Sequence, residues 1–155
     1  MKQRRRPTRD ELLARLPRAF RPGLDAGQRL DLALCHNENF DAIVTGQAEP
    51  SMVWDYVGGV LTWWKVSQLL QVGMLEMGPQ LELATRLVER FGATGRVVFA
   101  EDDNGHEIKL ARIGVAVMDE LAAMVDRPTA IAASDWSENE LNRIAAESRA
   151  LRQAA

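Results

Sequence analysis

Residues 104–126 read NGHEIKLARIGVAVMDELAAMVD, and the parsing of this stretch decides the fold class. Asn104-Gly105 favours a tight hairpin turn, because both residues tolerate the positive φ that a type I′ turn requires. On that parse, His106 to Ala111 returns as a second strand beside Arg96–Ala100. On the other, Asn104 caps a helix, with Glu107 three residues later. Periodicity separates the two. Ile108, Ala111, Val115, Met118, Ala122 and Val125 recur at intervals of three and four, and Leu110, Val117, Leu121 and Met124 make a second stripe. A strand alternates every second residue, so the stretch predicts a helix from about Gly105 to Asp126. The fold class expected is all-α, a bundle of five to six helices. Val97-Val98-Phe99 is β-branched and aromatic, and is left as one short extended segment near 96–100 without an obvious internal partner.

The remaining helices follow from caps and breakers. Thr8 and Glu11 form a capping box, and Pro17 ends the short helix that they open. Asp25 and Gln28 form a second box, opening a helix to about Thr45 that stops at Gly46. Its seam reads Leu30, Ala33, Leu34, Asn37, Phe40, Asp41 and Val44, with Asn37 and Asp41 interrupting the apolar stripe at its wet edge. Pro50 fits the first turn of a third helix over Met52–Val72. Thirteen of those 21 residues are large and apolar and fall on all sides of the wheel, which predicts a central, enclosed helix. Gly58-Gly59 in its middle costs about 1 kcal/mol per residue against alanine, which points to close approach of another helix or to a local kink. Gly78-Pro79 is read as the start of a fourth helix and Gly92 as its end. A last helix is expected at Ser137, where Ser137 and Glu140 make a capping box and Trp136 staples onto Leu141.

Length and charge set the organisation. A chain of 155 residues, 46% hydrophobic and 26% charged, is the size and composition of one folded domain. Residues 1–29 carry a net +6 and the remainder a net −9. The expected division is a flexible basic arm with a short helix over 1–22 and a single helical domain over 23–155. Arg4, Arg5, Arg6 and Arg9 are the candidate nucleic-acid contacts, against the simpler reading of a solvated terminus complementing an acidic body. The Arg4-Arg5 pair is followed by Pro7-Thr8-Arg9-Asp10-Glu11, not by the apolar run a twin-arginine signal needs. Asp55, Lys65, Gln68 and Gln71 interrupt the longest apolar window, which argues against a membrane span. The single cysteine, Cys35, cannot form an internal disulfide and favours a reducing compartment, so the expected location is cytoplasmic. Arginine outnumbers lysine 16 to 3, a bias of GC-rich bacterial genomes.

Chemistry has little to draw on, with two histidines and one tyrosine. No P-loop, dinucleotide fingerprint, nucleophile-elbow serine or histidine pair four apart is present, so no catalytic, cofactor or metal residues are expected. The Asp102-Asp103-Asn104-Gly105 loop fails as a calcium loop, because its first ligand position falls on Ala100. Asp31, His36, Glu38 and Asp41, with Cys35, form a polar group on the second helix, which is ordinarily a solvated face and less often a site. Trp54, Trp63 and Trp64 sit among aliphatic residues and read as core rather than a base-stacking platform. The segment over residues 60–83 has a degenerate helix-turn-helix pattern, with Gln71 where glycine is usual, and Glu76 and Glu82 where cations are needed. Two helices apolar on more than one side leave apolar surface over. Ile108, Val115, Met118, Ala122 and Val125 are therefore the candidate seam of a homodimer. The expected function is a small non-catalytic regulatory or accessory protein acting through protein–protein contacts. The alternative is a DNA-associated regulator using the arginine arm.

Overall fold

A computed structural model of the chain describes residues 7–101 and 104–154. Among them six α-helices follow in order: α1 (Arg9–Ala14), α2 (Ala26–Val44), α3 (Met52–Leu70), α4 (Met74–Thr94), α5 (His106–Met124) and α6 (Arg127–Ala154). The stretch at 104–126 is a helix, as its period requires. Its first cap is Gly105 at φ 57° rather than Asn104, and Glu107 turns inward to a different task. No described helix is long and apolar enough to cross a membrane.

The apolar α3 lies at the centre, packed against α2, α4, α5 and α6. Val53, Val60, Trp63 and Val66 bury different sides of it, and Trp64 is half-buried. Its two glycines divide their work. A Cβ on Gly58 would stand 3.0 Å from Leu141 Cδ1, so this glycine lets α6 approach closely. A Cβ on Gly59 would meet nothing within 4 Å, so packing does not require that glycine.

Three helix boundaries differ from the sequence expectation. The fourth helix begins at Met74, not at Gly78-Pro79, and runs through Pro79. Met77 and Gln80 are fully buried on either side of it, while Pro79 and Leu75 are exposed. The carbonyl that loses its partner to proline therefore lies on the wet face. That helix also passes Gly92 and ends at Gly95, which takes the left-handed conformation at φ 69°. The last helix does not begin at Ser137. Asp126 caps it eleven residues earlier, accepting from the Thr129 backbone N–H at 3.0 Å and the Thr129 hydroxyl at 2.6 Å. Ser137 lies buried in mid-helix and donates to the Gly58 carbonyl at 3.2 Å, while Glu140 pairs with Arg143 along the surface.

The expected seam of α2 is also rotated. Leu30, Leu34, Asn37, Asp41 and Val44 are exposed, and the inward face is Leu32, His36, Asn39, Phe40 and Ile43. Both box-capped starts hold as expected, Thr8 with Glu11 and Asp25 with Gln28.

The extended segment at 96–100 does have internal partners, and they are side chains. Val97 and Phe99 alternate into the core, and Phe99 meets Tyr56 edge-on with ring centres 5.9 Å apart. The Arg90 guanidinium donates to the Val98 carbonyl at 2.7 Å and to both Glu107 oxygens at 3.0 Å. The Ala100 N–H donates to Glu107 at 2.7 Å. Backbone groups that a neighbouring strand would satisfy are taken by one buried ion pair. Burial pushes the Glu107 carboxyl up, but the bonds from Arg90 and Ala100 and the charges of Arg90 and Arg86 outweigh it. The carboxyl stays below its ordinary range.

Candidate binding groove and exposed apolar end

The polar residues of α2 separate in three dimensions. Asp31, Glu38 and Asp41 are exposed, whereas His36 is enclosed between α2, α3 and α5 with 9% of its side chain accessible. Trp63 donates its indole N–H to His36 Nε2 at 2.9 Å. An indole can only donate, so Nε2 is the accepting nitrogen and the neutral ring carries its proton on Nδ1. Nδ1 lies 3.5 Å from Asp119 Oδ1, at ion-pair range but without a formed hydrogen bond. Burial holds the His36 pKa below its ordinary value, and Asp119 offsets only part of this. The ring is a positioned, neutral cross-brace between three helices. Trp63 and Asp119 are remote from His36 in sequence, and nothing local marks the trio.

Beside this trio runs a groove of about 420 Å³, with α3 as its floor and α2 and α6 as its walls. Leu24, Leu32, Val66 and Ile131 supply apolar lining, and Gly59 lies on the floor. Its polar lining is Cys35, Asn39, Asp55, Thr62 and Ser134, with His36 at the back. A smaller recess behind it reaches Tyr56 and Met118 past the same Gly59. Burial raises the Cys35 pKa, and the charges of Asp55 and Glu38 raise it further, so the thiol stays protonated. The Trp63 indole occupies His36 Nε2, so that nitrogen is not free to take a proton from the thiol. Among the described residues no three His, Cys, Asp or Glu side chains are placed to hold one metal ion.

The heptad face of α5 is occupied within the chain. Val115, Met118, Ala122 and Val125 are each at most 9% exposed, and Ile108 packs half-buried against the same core. Val115, Met118, Ala122 and Val125 therefore leave little surface for a partner, and the exposed large apolar side chains lie at other positions. α3 and α4 are joined through Gln71 and Gly73, both left-handed at φ 59° and 71°. Around this junction Leu69, Val72, Met74 and Leu75 are exposed, and Leu75 is 88% accessible. Val72 shares a cleft with Met124 from the end of α5. The N-terminal arm brings Phe20 to the same end, because Arg18 donates to the Leu69 carbonyl at 2.9 Å.

The arm is tied down by its cations. Arg18 and Arg21 both lie 3.7 Å from the buried carboxylate of Asp126, and Arg21 also donates to the Leu16 and Ala14 carbonyls at 2.8 Å. Arg127 pairs with Asp10 at 3.6 Å, and its N–H donates to the Pro22 carbonyl at 2.8 Å. Arg9 is exposed on α1, while Arg4, Arg5 and Arg6 lie outside the described residues, as do Asp102 and Asp103. The first turns of α4 present Leu75 and Glu76 where a groove-reading helix presents cations. The chain matches no family model, no curated protein and no solved structure.

Proposed function

We propose that the chain is a non-catalytic regulatory or accessory protein that works by protein–protein contact through the apolar end of the bundle, and that its first partner is a second copy of itself. The observation that carries this reading is the concentration of accessible apolar side chains there. Phe20 is 75% exposed, Leu75 88% and Met124 51%, with Leu69, Val72 and Met74 beside them. Exposed apolar side chains gathered towards one end of a folded chain favour a contact surface, and two-fold pairing would cover them with their own copies.

Light scattering at micromolar concentration tests it. The expected mass is twice the 17.3 kDa of the chain, and replacing Phe20 and Leu75 together with Glu returns the monomer with unchanged helicity. A monomeric parent chain removes the self-association. DNA binding that is lost steeply as salt rises would move the assignment to the arginine arm instead.

A further inference from the structure

One feature of the groove between α2 and α6 lacks a structural reason. Glycine inside a helix is unfavourable, and Gly58 is repaid by the approach of Leu141. Gly59 is not, since a Cβ there would meet nothing within 4 Å. What the missing side chain does is keep the groove floor open, between the 420 Å³ groove and the recess behind it. The volume is that of a small-molecule site, with mainly apolar walls and a few convergent polar groups.

Its electrostatics are one-sided. Asp55 is the single charged side chain lining the groove, and neither Lys nor Arg lines it. Glu38, exposed on α2, adds its charge to that of Asp55 at Cys35, whose pKa burial and both carboxylates raise. Asn39, Thr62 and Ser134 add neutral polar groups, while His36, its pKa lowered by burial, accepts from Trp63 behind them. An anion would meet repulsion with no cation to answer it. We infer that this groove binds a small organic ammonium ion, its apolar body along Leu32, Val66 and Ile131 and its charge at Asp55.

The test uses the full chain, with benzyltrimethylammonium as the probe and 3-phenylpropionate as its anionic counterpart of similar size. Amide and indole NMR resonances of Gly59, Thr62 and Trp63 should shift on titration with the cation. Asp55 is exposed, so a preference of roughly fivefold over the anion is expected. Asp55→Asn should bring the two affinities together. Gly59→Leu places a side chain in the floor, where its Cβ would meet nothing within 4 Å, and should abolish the shifts while helicity and melting temperature are kept. Equal binding of cation and anion, unaltered binding by Gly59→Leu, or no groove shifts up to about 10 mM cation overturns the assignment.

Discussion

Gln71 holds φ at 59° at the end of α3, the one described residue other than glycine with positive φ. The Val72 N–H reaches back to the Ser67 carbonyl at 3.1 Å, closing the helix in the way glycine usually permits. A side chain with a Cβ costs about 1–2 kcal/mol in that conformation. Gln71→Gly should therefore raise stability by about 0.5–1 kcal/mol after the entropy of the more flexible unfolded chain is deducted. A urea midpoint that moves up with unchanged slope is the expected reading. The opposite constraint operates at Gly114. A Cβ there would lie 2.6 Å from Cδ of Gln80, which is fully buried and donates to the Leu110 carbonyl at 2.9 Å. One glycine in mid-helix thus sets how closely α4 and α5 pack, and nothing in its own neighbourhood of sequence announces it.

Among the elements, the segment 96–100 shows how far local reading goes. Its alternation, Val97 and Phe99 inward, is legible because β-branched and aromatic residues two apart leave few other arrangements. The clamp that holds it is not, since Arg90 and Glu107 belong to helices on either side and pair only when those helices meet. Arg90→Ala would leave the buried Glu107 with only the Ala100 N–H and Arg86 at 4.0 Å, a loss of about 2–3 kcal/mol, below that of a wholly unpaired buried charge. Hydrogen exchange at Ala100 should accelerate far more than at amides in the middle of α3. The α2 and α6 differences have related causes. Leu30, Leu32 and Leu34 place apolar groups on both sides of α2, and the positions of α3 and α5 choose which face is buried. Ser137 and Glu140 have the spacing of a cap, yet Asp126 starts the helix earlier and the buried hydroxyl serves the crossing with Gly58 instead. The all-α class and α5 were readable because their periods extend over many residues. The groove joins residues from three helices and has no linear signature.

At the scale of the whole molecule, acid should weaken the fold in two stages. His36 has a folded pKa below 6.5, so the unfolded chain binds its proton first; that contribution is complete above about pH 6.5 and falls as pH drops below it. Glu107 also has a lowered folded pKa, so its contribution is complete above about pH 4.5 and is lost as pH falls through the folded value. Urea midpoints against pH should descend in both windows, and His36→Gln should flatten the upper one while leaving the lower. The arm poses a separate test at Asp126, which caps α6 and receives both Arg18 and Arg21. Asp126→Asn keeps a good cap but removes the charge, so tryptic cleavage after Arg18 should quicken with little change in melting temperature, Arg21 being shielded by the following Pro22. Asp126→Ala should in addition cost about 1 kcal/mol of stability. Synthesis gives this anchor a timing. Arg18 and Arg21 emerge from the ribosome about a hundred residues before the carboxylate that receives them, at N-to-C elongation of about 5–20 residues per second. For several seconds of every translation the growing chain carries cations and an uncovered Phe20 with their anchor not yet made, and the arm settles only once the α5–α6 corner has been built.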